Sequence, residues 1–157
     1  MGVSGWADAD VAAMQQALDE ARAARDQDEV PVGAIVMRGA SELARAHNQT
    51  VTDNDPCGHA EVPALREAAK AVGNHRLNGS TVYVTLEPCA MCVGAMLQAR
   101  VARVVFAAYD ERAGAVGSVV DLSMVPEFNH RIEVNGGLLE ADATELLQAF
   151  FEARRDA

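Results

Sequence analysis

The sequence predicts one layered α/β domain, and three observations lead to this prediction. Apolar residues recur at three- and four-residue spacing in several segments, which is typical of helices with one buried face. Short β-branched runs lie between them, the clearest of which is Thr81-Val82-Tyr83-Val84-Thr85-Leu86. The 157 residues fit a single domain over residues 1–157. Helices that alternate with strands along one chain build layered α/β domains.

The expected elements follow one another in a regular order along the chain. They are helix 7–25, strands 32–37 and 43–46, helix 59–72, strand 81–86, helix 89–98, strands 101–108 and 131–134, and helix 141–155. The first helix has a clear apolar face, and Asp8 or Asp10 would cap it. Pro31 ends helical structure there, and the next two strands would pair as a hairpin across the turn at Gly39.

Two prolines mark the starts of later helices. Pro63 is compatible with the second helix only in its first turn, where backbone N–H groups have no intrahelical partner. His59 and Glu61 would therefore lie at the very start of that helix. Pro88 would take the first position of the third helix. The fourth and fifth strands follow, and the last helix is amphipathic, with an apolar face made of Leu146, Leu147, Phe150 and Phe151.

Charge and composition exclude several classes of protein. With 13 Lys+Arg against 23 Asp+Glu, the formal net charge is −10, which argues against a general nucleic-acid-binding surface but allows a local basic patch. No apolar run approaches the roughly 20 residues of a membrane-spanning helix. Residues 1–8 contain neither the basic nor the apolar segment of a signal peptide. We therefore expect a cytoplasmic protein that does not contact a membrane.

Two short motifs indicate chemistry rather than packing. They are His59-Ala60-Glu61 and Pro88-Cys89-Ala90-Met91-Cys92. One imidazole and two thiolates are ligands that zinc prefers, and the two-residue gap between the cysteines lets both sulfurs reach one ion. Three protein ligands leave the fourth tetrahedral position open, which is typical of catalytic zinc. The sequence therefore predicts one catalytic Zn²⁺ per chain, bound by His59, Cys89 and Cys92.

Glu61 indicates which kind of reaction the predicted zinc site would catalyse. It lies two residues from the histidine and is not needed as a ligand. A carboxylate in that place can take a proton from zinc-activated water and deliver it to a substrate. An H-x-E motif followed by P-C-x-x-C is the signature of zinc-dependent base deaminases, in which water attacks the carbon bearing the exocyclic amine and ammonia leaves. Glu61 is therefore the predicted catalytic residue.

Cys57 allows a different interpretation of the same motifs. Together with His59, Cys89 and Cys92 it would complete a Cys₃His structural site, and the protein would then be a binding module without activity. Cys57 precedes the expected helix whereas His59 begins it, so binding both residues to one ion would strain the chain.

Beyond these motifs, the sequence resembles the bacterial tRNA-specific adenosine deaminases, within the wider cytidine-deaminase-like superfamily. The similarity runs over nearly the whole chain, and the tract from Thr85 to Ser118 and the Phe150-Phe151 pair are typical of the tRNA branch. The chain departs from the family pattern at three places: Cys57-Gly58 instead of Thr-Ala, Pro63, and Ala107 instead of glycine.

The resemblance implies a three-layer α/β/α sandwich with a mixed five-stranded sheet, a homodimer, and a tRNA anticodon loop as substrate. The implied reaction is hydrolysis of the wobble adenosine to inosine, with the zinc ligands and proton shuttle that the motifs predict. Asn48 matches the family asparagine that hydrogen-bonds the substrate nucleotide, and Asp110 matches an aspartate near the substrate sugar. Phe150 and Phe151 are candidates for a face that holds unpaired bases by stacking.

A second class of substrate would use the same zinc site. A deaminase of a free base, nucleoside or nucleotide, such as guanine, cytosine, cytidine or deoxycytidylate, is compatible with an acidic surface. The shape of the pocket separates the two hypotheses, because a tRNA enzyme needs a groove for the flanking nucleotides. A small-molecule enzyme can instead close over its substrate.

Overall fold

Four helices cover the two faces of a mixed five-stranded sheet in this computed structural model, which confirms the predicted fold class. The structure describes residues 5–156, so residues 1–4 and 157 of the predicted domain lie outside it, and with them half of the 1–8 segment considered for a signal peptide. The elements are α1 (Asp8–Asp26), β1 (Gly33–Arg38), β2 (Ser41–His47), α2 (Glu61–Val72), β3 (Thr81–Leu86), α3 (Ala90–Ala99), β4 (Arg103–Ala108), β5 (Glu133–Gly136) and α4 (Glu140–Arg155).

The sheet changes direction in its middle. Its strand order is β2-β1-β3-β4-β5; β1 runs antiparallel to β2 and β3, whereas β3, β4 and β5 are parallel to one another. Gly33 at the start of β1 pairs with His47 at the end of β2, and Leu86 pairs with Ala108 at the ends of β3 and β4. The start of β1 and the ends of β2, β3 and β4 therefore lie along one edge of the sheet, the edge that is formed by strand ends.

Alternating side chains on the strands build one core on each face of the sheet. Val82 and Val84 belong to the core under α2 and α3, and Tyr83 between them belongs to the core under α1 and α4. At Gly33 the backbone of α1 approaches so closely that an added Cβ would lie 2.1 Å from the Ala17 carbonyl oxygen. Only glycine permits this contact between α1 and the sheet.

The start of α1 differs from the prediction. Its N-cap is Ala7, which makes no side-chain capping bond, so the predicted cap at Asp8 or Asp10 was wrong. Asp10 instead points into the protein, where its carboxylate accepts hydrogen bonds from the Tyr83 hydroxyl at 2.6 Å and the Arg103 guanidinium at 3.0 Å. A carboxylate with two strong donors inside the fold gains more than one that caps an exposed helix end.

The other helix starts are shifted by one or two residues. Helix α2 begins at Glu61, so His59 lies in the turn before it rather than within it, and Pro63 lies in the first turn as predicted. Cys89 is the N-cap of α3, which places Pro88 before the helix rather than at its first position. The fifth strand covers residues 133–136 instead of 131–134, because its pairing with β4 begins at Glu133. Within the described residues, no helix is both long and apolar enough to cross a membrane.

Candidate active site

The candidate site lies at the edge of the sheet where four strands begin or end. The segment before β1 supplies Val30 and Val32, the end of β2 supplies Asn48, and the segment after β4 supplies Asp110. Because β3 is parallel to β4, the turn that follows β3 brings Cys89 to the same edge. The starts of α2 and α3 point at this edge, so their N-terminal dipoles favour negatively charged groups there.

His59, Cys89 and Cys92 form a compact triad of ligand atoms. The His59 Nδ1 lies 3.4 Å from the Cys89 Sγ and 3.6 Å from the Cys92 Sγ, and the two sulfurs are 3.8 Å apart. Tetrahedral zinc with Zn–N and Zn–S bonds of about 2.0 and 2.3 Å holds such atoms about 3.5–3.8 Å from one another. The distances and the donor set therefore both fit a zinc ion.

The electrostatics of the triad also favour a cation. Hydrogen bonds with Cys92 and His59 lower the pKa of the Cys89 thiol to about 3, so Cys89 is a thiolate at neutral pH. The same sulfur contact, together with burial, raises the pKa of Cys92. The hydrogen bond with Cys89 raises the pKa of the His59 imidazole. A thiolate with two adjacent donors attracts a divalent cation, which would replace the shared protons.

Glu61 is the first residue of α2, and its side chain is almost completely buried, with 4% of the residue exposed. It lines the same cavity as His59 and Cys89. Burial raises the pKa of the Glu61 carboxyl group to about 7. Such a carboxyl group can both accept and release a proton near neutral pH.

Asn48 and Asp110 both line the cavity. The Asn48 side-chain amide donates to the Val30 carbonyl oxygen at 3.4 Å, while its buried Oδ1 has no hydrogen-bond partner among the described residues. The Asp110 Oδ1 accepts from the backbone N–H groups of Arg112 and Ala113 at 3.0 and 3.1 Å. The structure thus brings five of the six predicted site residues to the cavity wall, with Cys92 buried in the triad beside it.

Cys57 is exposed and does not join the triad. Within residues 5–156, the group of potential ligand atoms that lie within 4.8 Å of one another consists of His59, Cys89 and Cys92. The Cys57 backbone N–H instead donates to the Asp55 carboxylate at 2.9 Å in an exposed turn. The Cys₃His interpretation therefore lacks its fourth ligand.

Sequence reasoning missed two buried glutamates beside the cavity. Glu29 accepts hydrogen bonds from the 50–52 segment, and Glu87 accepts hydrogen bonds from the 110–118 segment. Burial raises the pKa of Glu29, but the hydrogen bonds from Thr52, Val51 and Thr50 outweigh it and hold the pKa below its usual range. In the sequence, Glu87 directly follows the predicted strand 81–86, whereas Glu29 lies three residues before the predicted strand 32–37 and carries no comparable signal.

The cavity is small and continues into a wider groove. Its volume is about 250 Å³, below the ~300–1,000 Å³ usual for sites that enclose drug-sized ligands, which suits a single base. The adjoining groove shares part of its wall with the cavity and has a volume of about 630 Å³. Three arginines and an aromatic ring project into it: Arg112, Arg154, Arg155 and Phe151.

The two phenylalanines near the end of α4 have different environments. Phe150 is buried, and the Arg154 guanidinium lies 4.2 Å above its ring. Phe151 is 44% exposed and faces the groove. The apolar face predicted for this helix therefore ends before Phe151, which is available to a ligand.

Comparisons with known proteins agree with this geometry. The MafB19-like deaminase family matches residues 8–155. The tRNA-specific adenosine deaminase of Bacillus subtilis (strain 168) is 44% identical over 142 residues, which cover 90% of this chain and 88% of that protein. A structure from work on A-to-I editing by tRNA:A34 deaminases at the wobble position of transfer RNA is 42% identical, with a TM-score of 0.84, and covers 87% of this chain and 99% of that one. Guanine deaminase from Nitrosomonas europaea is 27% identical, with a TM-score of 0.75, over 89% of this chain and 83% of that one.

The three-layer fold and the His-Cys-Cys triad beside a buried glutamate define a deaminase of the cytidine-deaminase-like class. Relatives that share 36% to 44% of their residues with this chain over at least 90% of its length are tRNA-specific adenosine deaminases. The chain belongs to the tRNA-specific adenosine deaminase family, as the resemblance of its sequence predicted.

Proposed function

We propose that the protein hydrolyses adenosine to inosine at the wobble position of a tRNA anticodon, with one Zn²⁺ per chain held by His59, Cys89 and Cys92. One observation carries this proposal beyond the family. A base-sized cavity beside the triad opens into a groove lined by three arginines, on a chain whose net charge is −10. A free-base enzyme has no need of such a groove.

In the proposed reaction, water replaces the exocyclic amine of adenine at C6, and ammonia leaves. Zinc, when bound, would supply the Lewis acidity that makes water nucleophilic at neutral pH. The Glu61 carboxylate would take a proton from this water, pass it to the ring nitrogen next to C6, and carry the second proton to the departing amine. Its burial and its place on the first turn of α2 support this role.

Asn48 and Asp110 would orient the substrate nucleotide. The buried Asn48 Oδ1, which has no hydrogen-bond partner among the described residues, would accept a hydrogen bond from the bound nucleotide. A buried acceptor without a partner destabilises the folded state, and a ligand that donates to it would remove this cost. Asp110 lies where the cavity meets the groove, so it would contact the sugar that joins the inserted base to the rest of the anticodon.

The groove would hold the nucleotides on either side of the target. Phosphates would contact Arg112 and Arg155, and an unpaired base would stack on Phe151, because aromatic stacking is the usual way of holding unpaired RNA bases. These contacts reconcile an acidic chain with an RNA substrate, since the cationic surface needed is local.

We further propose that the chain, as a single domain over residues 1–157, forms a homodimer and acts in the cytoplasm, where tRNA is found. Exposed apolar side chains concentrate in one segment, 119–128, which supports an interface there; they are Val119, Val120, Met124 and Phe128. Light scattering of a purified sample would contradict the dimer if it reported one chain per particle at micromolar concentration.

The decisive experiment incubates zinc-loaded protein with an anticodon stem-loop that carries adenosine at the wobble position. We expect inosine in the digested RNA by mass spectrometry, and none from the Glu61→Ala variant. A stem-loop with the adenosine moved into the paired stem serves as the matched RNA control. If the wild-type protein makes no inosine but releases ammonia from guanine, the tRNA proposal is overturned in favour of a small substrate.

A further inference from the structure

We propose that Glu87 is a positioning residue, which holds segment 110–118 in place as one wall of the substrate cavity. This inference rests on the proposed function for its kinetic consequence, although its structural part does not. We call residues 110–118 the wall loop. Two of its residues, Asp110 and Ala113, line the cavity directly.

Donors of the wall loop occupy all the hydrogen-bond acceptor sites of the Glu87 carboxylate. One oxygen, Oε1, accepts from the Asp110 backbone N–H at 3.1 Å and from the Ser118 hydroxyl. The other, Oε2, accepts from the backbone N–H groups of Val116 at 3.2 Å and Ser118 at 3.1 Å. These four donors fill about four lone-pair sites, which is the capacity of a carboxylate. Although Glu87 borders the cavity, its oxygens are therefore committed to the loop.

This carboxylate is buried without a basic partner. Glu87 is 2% exposed, and within the described residues no lysine or arginine forms an ion pair with it. Its charge is compensated by the dipoles of the loop amides, so loop and carboxylate stabilise each other. Removing the carboxylate would leave three backbone N–H groups without an acceptor, and each such loss is costly inside a protein.

The wall loop wraps around Glu87 so closely that the sequence at its centre is restricted. A Cβ added to Gly114 would lie 2.3 Å from the Glu87 Cδ, so a side chain there would displace the carboxylate. Backbone hydrogen bonds support this arrangement: the Glu87 N–H donates to the carbonyl oxygen of Ala108, at the end of β4, at 2.8 Å, and the Ala115 N–H of the wall loop donates to the Pro88 carbonyl oxygen at 2.9 Å.

Glu87 thereby links two parts of the site that are distant in sequence. Pro88 and Cys89 follow it directly along the chain, whereas Asp110 is tied to it through space. Together with these backbone hydrogen bonds, the Glu87 side chain therefore fixes the position of Asp110 relative to the triad. Because substrate contacts of the wall loop form on binding, their loss should weaken binding more than it slows the chemical step.

The test compares Glu87→Gln with Asp10→Asn, a matched control that also replaces a buried carboxylate by its amide. Asp10 lies on α1, on the opposite face of the sheet from α2 and α3, and neither of its hydrogen-bond partners, Tyr83 and Arg103, lines the cavity. The glutamine amide has the same shape but directs N–H donors at the N–H donors of the loop. Hydrogen–deuterium exchange, zinc content and stem-loop kinetics are measured for both variants and for the wild type.

We expect Glu87→Gln to accelerate amide exchange in peptide 110–118 by about tenfold or more, while peptide 48–58 exchanges as in the wild type. Its KM for the stem-loop should rise about tenfold, with kcat within about threefold and one zinc per chain. Asp10→Asn should change neither the exchange of the wall loop nor KM. A variant that loses zinc, or that lowers kcat while KM stays constant, overturns the proposal.

The two proposals fail in different ways. Unchanged exchange in peptide 110–118 of Glu87→Gln would refute the positioning role, whatever the activity. If the wild-type protein produces no inosine, the proposed function fails, while the exchange measurement still decides whether Glu87 holds the wall loop.

Discussion

Two buried acids on opposite faces of the sheet have opposite environments. Asp10, on the α1 face, accepts hydrogen bonds from Arg103 and Tyr83. Burial raises its pKa, but the hydrogen bonds and charge of Arg103, together with the Tyr83 hydroxyl, outweigh burial and hold it below its usual range. Glu61, on the α2 face, forms no ion pair with a lysine or arginine of the described chain, and burial keeps its pKa high. The charge of Asp10 is balanced by Arg103, and the pair stabilises the fold. Glu61 has no such basic partner and is available to a ligand.

The largest effect is expected from replacing Glu61, the buried acid without a basic partner. Replacing Glu61 by Gln should lower kcat by about 10²–10⁴-fold, because the proposed proton carrier is lost. The melting temperature should not fall, since an amide costs less to bury than a carboxylate without a basic partner. Stem-loop kinetics and calorimetry measure both effects. A stable variant that retains more than a tenth of the wild-type kcat would show that Glu61 is not the proton carrier.

Removing the compensated acid should have the reverse effect. Asp10→Asn removes the buried carboxylate that pairs with the Arg103 guanidinium and leaves it only the exposed Glu133 carboxylate, 3.5 Å away, as a charged partner. We expect a loss of about 3 kcal/mol in the free energy of unfolding, or roughly 6–12 °C in Tm. At 20 °C its kinetic constants should equal those of the wild type. Urea titration followed by circular dichroism measures the loss, and Arg103→Met with Asp10→Asn tests whether the cost comes from the unpaired charge.

Lowering the pH should remove the stability that the buried carboxylates of Asp10 and Glu29 contribute. The pKa values of Asp10 and Glu29 are lowered in the folded state, so their contribution is complete above the pKa of the unfolded chain, about 4, and is lost as pH falls through the folded values. The urea midpoint should therefore fall steeply below pH 4. Asp10→Asn should show a shallower decrease, since one of these groups has been removed. Equal slopes for the two proteins would contradict a lowered pKa at Asp10.

The smallest effect is expected at Cys57. Its thiol is exposed and lies outside the triad, so Cys57→Ser should keep one zinc per chain and wild-type kinetics. Metal analysis together with the stem-loop assay provides the check. Loss of zinc from this variant would restore the four-ligand site that the sequence allowed.

Local patterns were sufficient to predict most of the fold. The β-branched run of β3 was placed at its observed bounds, because it contains both alternation and β-propensity. The triad was predictable because ligand chemistry and short spacing occur together in two motifs. By contrast, Asp10 was misjudged as a cap, since its partner Arg103 is 93 residues away and no local pattern reveals the pair.

The buried glutamates were missed for the same reason. The donors that Glu87 binds lie 23 to 31 residues later, in a loop without periodicity. The groove likewise joins Arg112 to the end of α4, and only the folded chain brings them together. Contacts between loops depend on the sheet that carries them, so they could not be deduced from the sequence.

The helix starts and the loops at the sheet edge contribute different parts of the site. His59, Glu61 and the two cysteines of the triad are fixed by α2 and α3, whereas Asn48 and Asp110 lie at strand ends that continue into loops. Loops tolerate substitution better than the packed elements that they connect. New substrates can therefore evolve by changes in the loops while the reaction itself is inherited, as expected of a scaffold shared by tRNA adenosine deaminases and a guanine deaminase.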